Sequence, residues 1–190
     1  RWLVRIEDVD GPRCVPGADQ IILGQLSDCG LLPDEPPQWQ SRRVAYYQSA
    51  LDRLLASGHA YPCSCSRKDI EQALTASGAE RPRHGERVYP GTCRLLPPDV
   101  RALRLASEAA AWRLDVAAAL AITGPLQWHD AWAGPQQADP TAQGDFVVAR
   151  RDIGTAYTLA VVVDDAAQGV TDVVRGVDLF EATHAQRLLQ

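Results

Sequence analysis

The sequence predicts an α/β fold that carries a partly antiparallel β insertion, and three observations support that prediction. Residues 2–6 read as a strand running directly into the carboxylates Glu7, Asp8 and Asp10. Such strand ends are where open α/β sheets bind their ligands. Val44, Tyr47, Leu51, Leu54 and Leu55 recur at three- and four-residue steps, the spacing of one apolar helix face. Residues 111–116, and parts of 126–130 and 146–150, alternate apolar and polar side chains, the period of half-buried strands.

In chain order, the opening strand leads through Gly11 and Pro12 to a helix starting at Gly17 or Ala18, reaching Cys29 and ended by Gly30. A Pro-rich loop, 33–37, precedes the second helix, with Ser41 as its expected N-cap and Gly58 as its stop. Ser66 opens a short helix with Asp69 three residues on, a capping box with Asp in place of Glu. A polar stretch, 80–87, leads to Tyr89-Pro90-Gly91-Thr92-Cys93. The loop 134–144 joins the later strands of the insertion. Residues 157–163 form a buried helix or strand, which periodicity alone does not decide, and 170–174 a short buried strand ending at Arg175 and Gly176. Residues 182–190 read as helix with no stop signal, and no methionine stands at position 1 or elsewhere, so an internal piece of a longer protein is expected.

A chain of 190 residues suffices for one domain with an insertion and a real core. Hydrophobic residues at 46% and charged residues at 23% are ordinary for a soluble globular protein. No apolar run approaches the roughly 20 residues that span a bilayer. A net charge of −5 argues against non-specific nucleic-acid binding, which draws on a basic surface, so any RNA contact must be local. Five cysteines, an odd number, do not make a complete disulfide framework and point to a reducing cytoplasm.

The spacing of the cysteines is more informative than their number. Cys63 and Cys65 form a Cys-x-Cys pair, and Cys93 follows beyond a short helix and a polar loop. Three thiols near one loop suggest Zn²⁺, which takes four ligands in a tetrahedron. His84 and Tyr89 are the nearest candidates for the fourth, and general chemistry favours His84, because a phenolate needs its pKa drawn down from about 10. The plain alternative is ordinary reduced cysteines on a loop. Cys14 and Cys29 have no partner spacing and are given no role.

Three further residues offer chemistry complementary to an ammonium and a carboxylate. Glu7 can accept an ammonium through a charge-assisted hydrogen bond, the Arg175 fork can grip a carboxylate at two points, and Tyr157 can add a neutral donor. The bland alternatives are a solvated strand-end charge, a turn arginine in an ion pair and a core tyrosine.

Read in order, Arg5-Ile6-Glu7-Asp8-Val9-Asp10, Tyr61-Pro62-Cys63-Ser64-Cys65-Ser66-Arg67, Tyr89-Pro90-Gly91-Thr92-Cys93-Arg94, Asp145 to Asp152, Ala156 to Asp165 and Val174-Arg175-Gly176-Val177-Asp178-Leu179 resemble class I glutamyl synthetases over essentially the whole chain. Within that group, the Tyr-Pro-Gly-Thr-Cys-Arg run and the segment 175–183 are similar to the glutamyl-queuosine tRNA(Asp) synthetases. Glutamyl-tRNA synthetases usually carry Arg-Gly-Glu-Asp-His where this chain has Arg175-Gly176-Val177-Asp178-Leu179.

The resemblance implies a Rossmann-type class I aminoacyl-tRNA synthetase catalytic domain. Its first part would be 1–60, a zinc-binding insertion on the acceptor side 61–144, and its second part 145–190. It implies zinc held by Cys63, Cys65, Tyr89 and Cys93, replacing the preference for His84, with a Cys65–Tyr89 loop longer than is common in the family. It places glutamate recognition at Glu7, Tyr157 and Arg175. The implied reaction is activation of L-glutamate by ATP with Mg²⁺, then transfer to queuosine at the wobble position of tRNA(Asp), in a cytoplasmic monomer. The family's His-x-Gly-His-type loop, Lys-rich loop and a further glutamate-binding arginine are expected outside residues 1–190, so this stretch alone should not turn over. The alternatives are an ordinary or discriminating glutamyl-tRNA synthetase, or a non-catalytic zinc-stabilised RNA-binding module.

Overall fold

The computed structural model describes residues 1–76, 88–107, 109–152 and 154–190. The polar stretch 80–87, His84 included, lies outside the described residues.

Strand β1 is Arg5–Ile6, shorter than the expected 2–6. The residues before it are nevertheless tied to the chain ahead, since Asp34 N–H donates to the Trp2 carbonyl (2.9 Å) and Gln38 N–H to that of Val4 (3.0 Å). Helix α1, Ala18–Asp28, starts and stops as expected, between Gly17 (φ 81°) and Gly30 (φ 75°). A strand not foreseen, β2 (Gln38–Trp39), pairs in parallel with β1. A 3-10 turn over Gln40–Arg42 then leads into α2, Val44–Ala56.

Ser41 is not the N-cap of α2. It sits inside the 3-10 turn, and its N–H (2.8 Å) and hydroxyl (2.6 Å) both donate to Asp8. The carboxylate-rich strand end outcompetes the helix terminus for that hydroxyl. The predicted apolar face of α2 holds at Tyr47 and Leu51, both buried, with Leu54 and Leu55 packed against the same core, whereas Val44 is exposed.

Strand β3 is Ala60–Cys63. Ser66 and Asp69 form the expected reciprocal box ahead of α3, Arg67–Ala76: Ser66 N–H donates to Asp69 (2.7 Å) and Asp69 N–H to the Ser66 hydroxyl (3.2 Å). Helix α4, Pro98–Ser107, was not expected. Strand β4 is Ala111–Leu114, after which Asp115 caps α5, Val116–Thr123, by accepting from Ala118 N–H at 3.0 Å. Strand β5, Gln127–Asp130, pairs antiparallel with β6, Gly134–Gln137. The expected loop 134–144 is therefore half of a hairpin followed by a 3-10 turn, Pro140–Gln143.

Strands β7 (Val147–Arg150) and β8 (Gly154–Thr155) complete an antiparallel sheet in the order β3-β4-β7-β8. This sheet draws strands from both sides of residue 144, with a register irregularity at Trp112 and Arg113. Helix α6, Tyr157–Gln168, resolves the helix-or-strand ambiguity, and Gly169 ends it in the left-handed conformation. The strand expected over 170–174 is absent: Val173 and Val174 are exposed, and among the described residues no strand offers them a ladder. Helix α7 is Ala182–Leu189.

The main core gathers Leu51 of α2, Leu114 of β4, Val116 of α5, Val148 and Ala149 of β7, Leu159 of α6 and Leu188 of α7. Helices from both ends of the chain thus close over one antiparallel sheet. A second, separate cluster consists of Tyr61, Cys63, Tyr89 and Cys93. Among the described residues no helix is long and apolar enough to cross a membrane.

Candidate functional site

Three carboxylates leave the end of β1, and the structure uses them differently. Asp8 is occupied by the N–H and hydroxyl of Ser41. Asp10 is taken by Arg13 and by Arg150 Nη1 (3.1 Å). Glu7 keeps 40% of its side-chain surface open, and its ion-pair partner among the described residues is Arg5, at 3.6 Å. Of the three, Glu7 is the carboxylate left with a face for a ligand. Desolvation raises its pKa, an effect opposed by the Arg5 charge and reinforced by Asp165 and Asp164.

Tyr157 is the first residue of α6 and lies within electrostatic reach of the other two predicted amino-acid-site groups. Its pKa is raised by burial and by the Glu7 charge, and pulled back by the charge and hydrogen bonding of Arg175. The fork of Arg175 is fixed from α7, with Nη1 donating to Gln186 Oε1 at 2.6 Å and Nη2 to the Thr183 hydroxyl. The structure thus brings the Glu7 carboxylate and the Arg175 guanidinium, from distant segments, each within electrostatic range of the Tyr157 phenol. An open cavity of about 800 Å³ lies along β1 and α1, lined by Ile6, Glu7, Asp8, Gly17, Asp19 and Ile22 among others. It occupies the strand-end edge where α/β sheets bind ligands.

Beneath this site is a charged cluster that the sequence reading overlooked. The Asp164 side chain is fully buried and accepts from Arg43 Nε (2.6 Å), Tyr47 Oη (2.7 Å) and Gln40 Nε2 (3.0 Å). Its neighbour Asp165 accepts from Arg5 Nη1 at 2.8 Å. The signal was available: positions 160, 161 and 164 share one helical stripe, and a carboxylate on an apolar stripe demands a cationic or hydrogen-bonding partner.

The cysteine cluster is compact. The sulfurs of Cys63, Cys65 and Cys93 all lie within 4.8 Å of one another, with Cys65 and Cys93 3.4 Å apart. Tetrahedral Zn–S bonds of about 2.3 Å put sulfurs about 3.8 Å apart, so these thiols can hold a metal ion. The Tyr89 phenol is 3.4 Å from the Cys63 sulfur and 3.8 Å from that of Cys65, and its oxygen accepts the Cys93 N–H at 2.8 Å. Burial, helped by the neighbouring thiols, pushes Cys65 up to about 12, and burial likewise raises the Tyr89 phenol. For Cys93, hydrogen bonds from Tyr89 and Cys65 outweigh burial and lower it. The Arg113 guanidinium stacks on the Tyr89 ring, 3.9 Å from its centroid.

Two further devices hold the cluster in place. Asp145, nearly fully buried, accepts from Tyr61 Oη (2.5 Å), Arg94 Nη1 (3.0 Å) and Val116 N–H (3.1 Å), knotting the segment after Cys93 to the sheet and to α5. Arg151, in the β7–β8 turn, donates to the carbonyls of Ser64 (3.3 Å) and Cys65 (3.2 Å), while its neighbour Arg150 reaches Asp10. One turn therefore touches both the thiol loop and the loop after β1.

The family follows from comparison with known proteins. The model for class I tRNA synthetases (E and Q), catalytic domain, matches residues 1–190, and the chain belongs to that family. Its relatives include proteins named glutamyl-Q tRNA(Asp) synthetase. Those of Albidiferax ferrireducens and Leptothrix cholodnii are each 54% identical to it, across 100% of this chain and 65% and 62% of their own lengths. The chain thus spans less than two thirds of these relatives. Among solved structures, a glutamate tRNA ligase from Elizabethkingia meningosepticum, described as in complex with its amino acid, superposes with a TM-score of 0.77 at 24% identity. That likeness covers 98% of this chain and 39% of that one, and it shows the shared fold.

Proposed function

We propose that this chain is the amino-acid-binding part of an enzyme that activates L-glutamate with ATP and Mg²⁺ and transfers it to queuosine at the wobble position of tRNA(Asp). The observation that carries the reading is that Glu7, at the end of β1, and Arg175 both act on the Tyr157 phenol, while Glu7 keeps an open face. Glu7 would accept the substrate ammonium, Arg175 would grip the distal carboxylate, and Tyr157 would donate between them. The 54% identity to proteins named glutamyl-Q tRNA(Asp) synthetase supports this choice of amino acid and acceptor.

The same reading assigns zinc to Cys63, Cys65, Tyr89 and Cys93, in a 61–144 insertion flanked by the 1–60 and 145–190 parts of the catalytic domain. The sulfur separations and the phenol beside them support a four-ligand site. The metal would supply structural closure, fixing the loops before α3 and α4 against one another. A cytoplasmic monomer is part of the same proposal.

Substitution of the carboxylate-gripping residue tests it. In the complete protein, Arg175→Ala should weaken glutamate activation by about 2–5 kcal/mol, the range for truncating one member of a buried charge pair. Pyrophosphate exchange would show this as a lower kcat/KM for glutamate with ATP dependence unchanged. Wild-type kinetics in that variant would remove the assignment.

A further inference from the structure

We propose that Arg5 is a positioning residue of the candidate amino-acid site, with its guanidinium anchored on α6 and orienting the Glu7 carboxylate toward a substrate ammonium. The proposal rests on the reading of Glu7 given above and concerns a residue to which that reading assigns no part.

Arg5 and Glu7 are two residues apart along an extended segment, so their side chains leave the same face. Only 15% of the Arg5 side chain is exposed. Its fork is divided: Nη1 donates to Asp165 (2.8 Å) and Gln168 (3.0 Å), while Nη2 faces Glu7 at 3.6 Å. Nε lies 4.0 Å from Asp164 and makes no hydrogen bond. The anchoring residues belong to the helix that presents Tyr157 at its first turn. One rigid element therefore sets both the phenol and, through Arg5, the acid.

The electrostatics give the arrangement a measurable signature. Glu7 faces Arg5 from its own strand, Asp164 and Asp165 from the body of α6, and Tyr157 from the start of that helix. Arg175 reaches Tyr157 from beyond α6, and Arg43 of the turn before α2 is committed to Asp164. Desolvation and the two aspartates favour a neutral Glu7, and Arg5 opposes them. Without Arg5, Glu7 would protonate at a higher pH, and without Asp165 at a lower one. A neutral Glu7 no longer attracts an ammonium, so the pH below which glutamate binding fails must follow these changes in opposite directions.

The experiment measures kcat and KM for glutamate against pH by ATP–pyrophosphate exchange in the complete protein, with melting temperatures alongside. The titration of free glutamate is common to all variants and cancels. Arg5→Gln should raise KM roughly tenfold at neutral pH, the scale of one charge-assisted hydrogen bond. It should also move the acid rise in KM to higher pH. Arg5→Lys, which restores charge without the fork, should bring the acid limb back toward wild type while leaving KM elevated. Asp165→Asn should move the limb to lower pH. A purely structural role would lower melting temperature and kcat and leave the limb in place. An unmoved limb, or one displaced the same way by Arg5→Gln and Asp165→Asn, overturns the proposal. Should Arg5→Gln fail to fold, Arg5→Lys against Asp165→Asn still decides, since wild-type KM in the lysine variant with an unmoved limb in the asparagine variant is equally fatal. Glu7→Gln separates the two levels. A wild-type KM and limb in that variant defeats the reading of Glu7 itself, whereas a Glu7-dependent limb indifferent to Arg5 and Asp165 defeats only this inference.

Discussion

At Gly144 the backbone takes φ 61° and ψ −160°, a region that residues with a Cβ essentially do not enter. A Cβ added there would stand 2.6 Å from Val88 Cγ1 and 3.3 Å from the Tyr89 carbonyl oxygen. Gly144 also pairs with Tyr89 in an isolated parallel bridge, so the glycine lets the chain bring the phenol against the thiols. Gly144→Ala should therefore destabilise the protein by about 1–3 kcal/mol, the usual cost of such a conformation. It should also loosen metal binding, because Tyr89 must retreat from Cys63. Wild-type protein should carry close to one zinc per chain, and the variant should surrender it to a weaker chelator. Equal stability and equal retention would show that Tyr89 is not held by this contact. Sequence alone could nominate Tyr89 only through family resemblance, because a phenol is a poorer ligand than an imidazole until something fixes it in place. What fixes it is the Cys93 N–H and the stacked Arg113, neither visible in residue spacing.

Among the elements, α2 and α6 are joined by Asp164 as well as by the shared apolar core. Its carboxylate takes Arg43, Tyr47 and Gln40 while fully enclosed, and the Arg43 side chain is only 13% exposed. Asp164→Asn preserves volume but strands the Arg43 charge, and breaking one side of a buried pair costs about 3–5 kcal/mol. Urea unfolding should show a lower midpoint with an unchanged m-value. A loss below about 1 kcal/mol would mean that Arg43 finds another partner or solvent. Elements whose signals are local were legible: α1 between its glycines, α3 behind its capping box, and β4, β5 and β7 from their alternation. Elements that depend on a distant partner were not. Strand β2 exists because β1 lies beside it, and 170–174 stays irregular because no strand among the described residues pairs with it, although its valines favour a strand. Ser41 was misread for the same reason, its hydroxyl going to Asp8, 33 residues back along the chain.

For the molecule as a whole, the proposed activity turns on the choice of RNA acceptor. A net charge of −5 leaves no general attraction to phosphate, so selectivity must come from a few local contacts rather than from bulk electrostatics. Two likenesses carry different weight here. The fold is shared with glutamate tRNA ligases at 24% identity, whereas 54% identity across the whole chain is shared with proteins named glutamyl-Q tRNA(Asp) synthetase. At the lower figure a fold is retained and its recognition surfaces are free to diverge, since function resides in sites grafted on the fold. The stretch after Arg175 is a case in point: Val177 is exposed, and Gly176-Val177-Asp178-Leu179 departs from the Gly-Glu-Asp-His that, by the resemblance, glutamyl-tRNA synthetases usually carry. The complete protein should therefore charge queuosine-containing tRNA(Asp) and leave tRNA(Glu) uncharged. It should also fail on tRNA(Asp) that bears guanosine at the wobble position, because in the proposed reaction the acceptor is queuosine itself. Acid-gel separation of the charged species with labelled glutamate reads all three arms. Charging of tRNA(Glu) in preference would reassign the chain to the ordinary synthetases while leaving the glutamate site intact. Equal charging of modified and unmodified tRNA(Asp) would remove queuosine as the acceptor.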